Sequence, residues 1–172
     1  MIKDTVLARR TVRRFTDEQI SKEELNDLLM YASMAPSNGN AHPVEFIVVS
    51  DKEDLDYLSK IDKFGAKHIA NVPQLVLFIA NKSLCKYWVQ EASMTAAFFQ
   101  LLAEDAGWNT GYIPFNENKT DDKEDAEDYV RKHFDIPDNY GVLAMVALGK
   151  KDERVRKRKE FPIDEKIHEG KF

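Results

Sequence analysis

An uninterrupted apolar run, Leu75-Val76-Leu77-Phe78-Ile79-Ala80, sets the architecture that this chain can adopt. The run has the length of a strand, and its β-branched residues favour a strand over a piece of buried helix. A strand that shows no polar alternation is covered on both faces. The run therefore predicts the central strand of a sheet, and further strands are predicted over residues 44–49, 109–114 and 142–148.

The first long amphipathic pattern begins at Ser21. Ser21 and Glu24 have the spacing of a capping box, and Ile20 and Leu25 stand at the two positions of a hydrophobic staple. Apolar residues then follow at helical spacing on one face: Leu25, Leu28, Leu29 and Ala32. The pattern predicts a helix that packs against the core and ends before Pro36, which cannot continue a helix.

A second helix is predicted over residues 87–106, with Gly107 as the residue that ends it. It is apolar nearly all round, with one stripe of Val89, Ala92, Ala96, Phe99, Ala103 and Ala106, and with Met94, Phe98, Leu101 and Leu102 over much of the remaining surface. Such a helix lies either in the middle of the core or in a subunit interface. Shorter helices are predicted over residues 2–9, with Val6 and Leu7 as core contacts, and over residues 52–60, with Leu55 and Leu58 facing inward.

An acidic run opens a third helical pattern. The run is Asp121, Asp122, Glu124, Asp125, Glu127 and Asp128, and the apolar stripe that follows is Ala126, Tyr129, Val130, His133 and Phe134. Carboxylates at the start of a helix suit its macrodipole. We therefore interpret the run as structural rather than as a metal site, and His133 as a residue of the packed face rather than a catalyst.

Composition limits the classes of protein that fit. A chain of 172 residues with 43% apolar content is expected to form one domain, spanning residues 1–172. The formal net charge of −5 argues against nucleic acid as a partner. The chain has neither a run of ~20 apolar residues nor the apolar segment of a signal peptide, so we expect a soluble, cytoplasmic protein with no membrane partner. A single cysteine and four scattered histidines give no disulfide and no metal-ligand spacing.

Three polar stretches remain as candidates for function. Four arginines and a threonine fall within Arg9-Arg10-Thr11-Val12-Arg13-Arg14. This segment is a candidate anion site because one guanidinium group can bind two phosphate oxygens at once. The loop Pro36-Ser37-Asn38-Gly39-Asn40 lies between a helix and a strand and is rich in hydrogen-bonding side chains. A basic segment over residues 150–159 precedes scattered apolar residues and predicts an extended arm. The alternative for the arginine cluster is a solvated basic surface. The alternative for the loop is a plain Asn-Gly turn that links a helix to a strand.

No nucleophile elbow, phosphate-binding glycine loop or zinc motif is present. The candidate residues offer binding for a phosphate and a heteroaromatic ring, but no obvious acid, base or nucleophile. Where a protein offers binding without chemistry, a cofactor carries the reaction.

The order of these motifs resembles the nitroreductase family over nearly the whole chain. The resemblance lies in the segment 9–15, in residues 35–40 with Pro43, in residues 106–110, and in the basic arm after Ala147-Leu148-Gly149. It implies an α+β fold with a central, mixed, mainly antiparallel sheet flanked by helices. It further implies an intertwined homodimer that binds FMN at the subunit interface, with residues 150–172 as an arm on the partner.

The resemblance also implies the residues of the cofactor site. Around the phosphate and the polar edge of the ring it places Arg9, Arg10, Thr11 and Arg13, with Arg156 and Arg158 closing on the phosphate. It implies that four residues of the neighbouring subunit reach the same flavin: Pro36, Ser37, Asn38 and Asn40. It also implies that one segment passes along the isoalloxazine ring: Tyr112, Ile113, Pro114 and Phe115. Pro114 departs from the family pattern because it lacks the N–H that a residue there often offers to flavin N5.

The resulting hypothesis is an FMN-dependent oxidoreductase that works by alternation. NADH or NADPH gives hydride to flavin N5, the nicotinamide leaves, and an electron-poor small molecule such as a nitroaromatic or a quinone enters the same pocket. One alternative is a flavin-binding protein for storage or sensing, without turnover. A basic-armed nucleic-acid binder is a further alternative.

Overall fold

The computed structural model describes residues 1–61, 66–115, 118–120, 122–156, 158 and 161–172. Its four strands are β1 (Val44–Val49), β2 (Gln74–Asn81), β3 (Asn109–Pro114) and β4 (Tyr140–Gly149). They form one sheet in the order β1-β2-β4-β3, and each pair of neighbours is antiparallel. A single parallel bridge joins Thr11 to Thr110 beside β3. The four predicted strands are confirmed, as is the α+β class.

Strand β2 separates two layers of the core. Leu75, Leu77 and Ile79 point into one apolar cluster, while the alternate residues Val76, Phe78 and Ala80 point into the other. Because successive side chains of a strand lie on opposite faces, a strand with a core on each side has no polar position between its ends, here Gln74 and Asn81. The prediction of a central strand covered on both faces is therefore confirmed.

The described residues form five helices, four of which cover the two faces of this sheet. They are α1 (Ile2–Ala8), α2 (Lys22–Ala32), α3 (Lys52–Leu58), α4 (Trp88–Asp105) and α5 (Ala126–His133), with short 3-10 turns at Asn38–Asn40, Lys67–Asn71 and Ile163–Lys166. Helices α2 and α4 pack on one face and α3 and α5 on the other. Within the described residues, none of the helices has the length and apolar character that crossing a bilayer requires.

The start of α2 follows only half of the predicted capping box. Ser21 Oγ accepts a hydrogen bond from the Glu24 N–H at 3.2 Å, as predicted. The Glu24 carboxylate does not return to Ser21, because Glu24 Oε1 instead accepts the indole N–H of Trp108 at 2.8 Å. The residue that was expected to serve a local cap thus ties α2 to the start of β3.

Helix α4 ends as predicted, in a Schellman turn at Gly107. The Trp108 N–H donates to the Ala103 carbonyl at 2.7 Å and the Gly107 N–H donates to Glu104 at 3.1 Å. Gly107 has φ +80°, a conformation that favours glycine.

One face of α4 is buried and the other is open. The buried apolar residues are Ala92, Ala96, Phe99 and Ala103, whereas Val89, Met94 and Phe98 are 38–44% exposed. Val89 and Ala106 therefore do not belong to the inner stripe to which the sequence assigned them.

The predicted core contacts of α1 are wrong. Val6 is 44% exposed and Leu7 is 60% exposed. The buried residue of α1 is Thr5, whose hydroxyl donates to Asp105 Oδ1 at 2.8 Å. A polar contact with the end of α4 therefore sets the orientation of α1 and turns its apolar residues outward.

Helix α5 begins later than the acidic run suggested. Asp125 is its N-cap and accepts hydrogen bonds from the Glu127 and Asp128 N–H groups at 3.0 and 3.2 Å, so Asp122 and Glu124 precede the helix. Asp121 lies outside the described residues. The described residues contain no group of three or more His, Cys, Asp or Glu side chains that could hold a metal ion.

His133 packs in an aromatic stack between α3 and α5. Its ring lies parallel to that of Tyr57 at 3.8 Å between centroids, and Tyr57 stacks in turn on Tyr129 at 4.0 Å. His133 Nε2 also lies 2.7 Å from Asp54 Oδ1. The interpretation of His133 as a packed residue agrees with these contacts.

One carboxylate is buried on α4, where it meets the polar loop. Glu91 is 3% exposed, and it accepts hydrogen bonds from Ser37 Oγ and the Asn38 N–H at 2.7 Å each and from Cys85 Sγ at 3.1 Å. Burial alone would raise the pKa of Glu91, but the hydrogen bonds from Ser37, Cys85 and Asn38 outweigh it, so the pKa lies below its ordinary value. Glu91 is therefore an anion that ties the loop to α4.

We expect Glu91→Gln to lower the free energy of unfolding at pH 7 by about 1–3 kcal/mol, because an amide N–H₂ would replace one of the oxygens that now accept. Urea unfolding at one fixed protein concentration measures the change. Glu18→Gln, in an exposed segment, is the control and should stay within about 0.5 kcal/mol of the wild type.

The same pair of proteins tests the ionisation of Glu91. Since folding lowers this pKa, the stabilisation is complete above the ordinary glutamate value of about 4.3 and is lost as the pH falls through the lower folded-state value. The difference in the free energy of unfolding between the wild type and Glu91→Gln should therefore become smaller at acid pH. A gap that stays constant across the acid range would contradict an ionised Glu91.

Candidate functional site

The arginine segment is held against strand β3 at one close contact. The Val12 N–H donates to the Thr110 carbonyl at 2.9 Å, and the Val12 side chain is 1% exposed. A Cβ atom added at Gly111 would lie 2.4 Å from the Val12 carbonyl oxygen, so only glycine permits this approach. Because Val12 points into the core, its neighbours Thr11 and Arg13 point outward.

These outward side chains border a basic cleft of about 640 Å³, which we call the anion cleft. It lies between the arginine segment and the beginning of the C-terminal arm. Its lining residues are Arg9, Arg10, Thr11, Arg13, Glu153, Arg154, Val155, Arg156 and Arg158. Among the described residues, six arginines and one glutamate line this cleft, in a protein whose net charge is negative.

Two of the six arginines are engaged with backbone carbonyls. Arg10 Nη1 donates to Leu7 O at 2.6 Å, and Arg10 Nε donates to Arg156 O at 3.2 Å. Arg158 Nη2 donates to Val6 O and Arg9 O at 3.1 and 3.2 Å. Both guanidinium groups therefore satisfy carbonyls at the end of α1, which have no partner within the helix.

The other four guanidinium groups form no hydrogen bond within the described part of the chain. They belong to Arg9, Arg13, Arg154 and Arg156. Burial, followed by the charge of Arg158, lowers the pKa of the Arg9 guanidinium, with Glu104 acting in the opposite direction. The positive charges of this cleft therefore repel one another, and an anion would relieve that repulsion.

Glu153 contributes a fixed negative charge. Its Oε1 accepts hydrogen bonds from the Arg13 N–H at 2.5 Å and the Arg14 N–H at 3.1 Å. The bond from Arg13 is the main cause that lowers the pKa of Glu153, and burial opposes it. Glu153 thus anchors the arm to the arginine segment and stays ionised at neutral pH.

A second cleft, of about 180 Å³, adjoins the anion cleft and shares Thr11 and Arg13 with it. We call it the strand cleft because β3 forms its floor. Its lining residues are Thr11, Arg13, His68, Gly111, Tyr112, Ile113, Pro114 and Asn118. A ligand with an anionic end and a flat end can therefore pass from one cleft to the other beside Arg13.

Phe115, which the resemblance placed at the ring, does not line this cleft. Its side chain is 2% exposed within the core, and its N–H donates to the Leu143 carbonyl at 3.0 Å. Neither group is available to a ligand, because the chain turns inward directly after Pro114. Of the four predicted residues, Tyr112, Ile113 and Pro114 line the strand cleft in one chain and Phe115 does not.

The polar loop lies apart from both clefts within one chain. Pro36 and Ser37 border a separate small cavity of about 20 Å³ that also touches Glu91 and shares no residue with the anion cleft. Ser37 Oγ both donates to Glu91 and accepts the His42 N–H at 2.9 Å. Asn38 and Asn40 are exposed, and Asn40 Oδ1 lies 2.9 Å from His42 Nε2.

The loop has an unusual backbone conformation that several hydrogen bonds hold in place. Gly39, Asn40 and His42 all have positive φ, at 60°, 57° and 42°. Non-glycine residues adopt this conformation at a cost that surrounding contacts must offset. Here the contacts are the Ser37–Glu91 hydrogen bond and those of His42, whose Nδ1 also lies 3.1 Å from Ser33 O. The loop thus presents Asn38 and Asn40 in a fixed shape.

The residues that support the site differ in how far they could be predicted from the sequence. Glu91 had only a weak signal, since it is a charged residue at the start of a largely apolar helix. Glu153 and His68 had none, because each approaches the clefts only through contacts distant in sequence. Lys157 and Lys159 of the basic arm lie outside the described residues.

Comparisons with known proteins show the family to which this chain is similar. A model described as the nitroreductase family matches residues 6–88, which include the arginine segment and the polar loop. A protein of Archaeoglobus fulgidus named "Putative NADH dehydrogenase/NAD(P)H nitroreductase" is 32% identical over 154 residues, covering 87% of this chain and 85% of its own length.

Solved structures agree as well. A protein described as an FMN-dependent nitroreductase from Clostridium difficile R20291 is 31% identical, with a TM-score of 0.89 and coverage of 98% of each chain. A Parabacteroides distasonis structure at 23% identity and the same TM-score, covering 99% of this chain and 98% of its own, shares the fold. With this fold, these two clefts and a relative that is 32% identical along most of both chains, the protein belongs to the nitroreductase family.

Proposed function

We propose that this chain binds FMN and uses it to pass hydride from NAD(P)H to an electron-poor small molecule, such as a nitroaromatic or a quinone. The observation that carries the proposal is the continuity of the anion cleft with the strand cleft beside Thr11 and Arg13. The names of two similar proteins, an FMN-dependent nitroreductase and an NAD(P)H nitroreductase, support it.

The side chains present fit this cofactor. A phosphate monoester calls for several cationic donors, and the anion cleft offers the guanidinium groups of Arg9, Arg13 and Arg156 beside the Thr11 hydroxyl. A flat ring calls for a shallow floor, which Gly111, Tyr112 and Ile113 provide in the strand cleft. Arg10 and Arg158 add charge to the phosphate end, although their donors already bind carbonyls.

FMN, when bound there, would supply the hydride chemistry, and the donor and acceptor would occupy the same space in turn. The residues of this chain bind and orient. Arg13 is a permanent cation, since a guanidinium cannot lose its proton in a protein. Pro114 offers no N–H, so any backbone donor to the ring comes from another residue of this strand or loop.

We further propose a homodimer in which the polar loop of one subunit completes the site of the other. Pro36, Ser37, Asn38 and Asn40 would reach the ring from the partner, since in one chain their loop lies apart from both clefts. The arm, residues 150–172, would continue onto the partner, which would cover exposed apolar side chains such as Phe161 and Ile167.

The protein should bind one FMN per chain, and it should bind riboflavin at least about 100-fold more weakly, because riboflavin lacks the phosphate and forfeits two or more charge-assisted hydrogen bonds. Titration followed by flavin fluorescence measures both affinities. A protein that ignores FMN, or that binds both flavins equally, would contradict the assignment of the anion cleft.

Anaerobic addition of NAD(P)H should bleach the visible absorbance of the bound FMN, and a nitroaromatic or quinone should restore it. This experiment separates an enzyme from a flavin store or sensor. Bound FMN that NADH and NADPH both leave oxidised would remove the catalytic proposal while keeping flavin binding.

Arg13→Ala should weaken FMN binding roughly 10- to 150-fold, which corresponds to one charge-assisted hydrogen bond. It should also lower the reduction potential of the bound flavin, because reduction adds negative charge that a neighbouring cation stabilises. Fluorescence titration and a dye-coupled redox titration at saturating FMN give the two values.

Arg14→Ala is the matched control for that experiment. Arg14 is the next residue, but its guanidinium donates to the Asp152 carbonyl at 3.1 Å and does not line either cleft. We expect both values to stay near those of the wild type. If the two variants behaved alike, Arg13 would have no specific place beside the flavin.

Light scattering at micromolar concentration should give twice the chain mass of 19.8 kDa. The outer face of α4 carries Met94 and Phe98, which are 38% and 42% exposed in one chain and which a partner would cover. Phe98→Glu should shift the protein toward monomer, because it would place a charge in that contact. A folded wild-type monomer would count against the proposed dimer.

A further inference from the structure

The anion cleft contains more positive charge than one phosphate can neutralise. Among the described residues, six guanidinium groups line it, against the single carboxylate of Glu153. A phosphate monoester carries about −1.5 to −2 at pH 7. About three positive charges would therefore remain without a counter-charge after the FMN phosphate had bound.

Part of this excess lies on Arg154, which the proposed FMN site does not require. Arg154 lines the anion cleft at the beginning of the arm and forms no hydrogen bond within the described residues. Its neighbour Glu153 does not neutralise it by direct contact, since Glu153 Oε1 binds the Arg13 and Arg14 N–H groups. An uncommitted guanidinium at the rim of a basic cleft is suited to a second phosphate.

The two nicotinamide donors differ by such a group. NADPH carries a 2′-phosphate on its adenosine that NADH lacks, and this group adds almost two negative charges at neutral pH. A cleft with excess positive charge therefore attracts NADPH more strongly, both in the bound state and during the encounter.

We propose that the anion cleft contains a second phosphate subsite, formed around Arg154, that binds the 2′-phosphate of NADPH and makes NADPH the preferred donor. This inference rests on the proposed function, because the first phosphate is that of FMN. We expect kcat/KM for NADPH to exceed that for NADH roughly 10- to 100-fold at low salt, the size of one charge-assisted contact.

Binding without turnover gives the first test. Adenosine 2′,5′-bisphosphate should bind to the FMN-loaded protein at least about tenfold more tightly than 5′-AMP, which lacks the 2′-phosphate. Calorimetry on the loaded protein measures both, and raising the salt concentration should reduce the difference because the contact is exposed. If the bisphosphate displaced FMN instead of binding beside it, the cleft would hold only one phosphate and the subsite would be rejected.

A substitution gives the second test. Arg154→Gln should lower kcat/KM for NADPH roughly 10- to 100-fold and that for NADH much less, and it should weaken the bisphosphate to a similar extent. The affinity for FMN should change little. Arg14→Gln is the control, because Arg14 lies in the neighbouring segment but outside the anion cleft.

The outcomes separate this inference from the function on which it rests. A protein that takes up no FMN, or whose bound FMN neither donor reduces, contradicts the proposed function itself. A protein that NADH and NADPH reduce equally well, or that prefers NADH, keeps the function and overturns the subsite. An Arg154→Gln variant with an unchanged preference for NADPH also overturns it.

Discussion

The fold of this protein depends on one strand that is buried on both faces. Strand β2 sends Leu75, Leu77 and Ile79 into one core layer and Val76 and Phe78 into the other. Its interior position leaves no room for a polar ligand at the centre of the sheet. Binding groups must therefore lie at the edges, and β3 is the edge strand against which the arginine segment packs.

The packing at that edge is close because of one missing side chain. The Val12 carbonyl oxygen lies only 2.4 Å from where a Cβ at Gly111 would be, so the backbones of the segment and the strand approach with no side chain between them. Val12 is then buried, and the alternation of side chains turns Thr11 and Arg13 outward. A packing constraint inside the molecule thus determines which residues of the arginine segment reach the clefts.

Local patterns were predictable because local forces decide them. The four strands, the body of α4 and the turn at Gly107 follow from apolar periodicity and from the conformational freedom of glycine. Contacts between distant segments were not predictable from periodicity. The sequence does not tell that Glu24 binds Trp108 rather than its own cap, or that Thr5 rather than Val6 orients α1.

The same distinction applies to the candidate site. The residue types of the arginine segment indicated a binding site for an anion. The resemblance to the nitroreductase family named most of the residues that line the clefts. The separate tasks of the arginines emerged only from the structure, in which Arg10 and Arg158 bind carbonyls of α1 while Arg9 and Arg13 do not. A side chain's type limits what it can bind, but its competing partners decide what it is free to bind.

Helix α4 connects the core, the loop and the site. Its inner face fills the core with Ala96 and Phe99, and Glu91 near its start fixes the polar loop. Further along, Ala97 and Leu101 border a cavity of about 470 Å³ together with Arg9 and Tyr112. In the proposed dimer, a partner that covers the outer face of α4 would therefore also border the site. Flavin binding and subunit association would then stabilise each other, because a ligand that contacts both subunits favours the assembled state over the separated one.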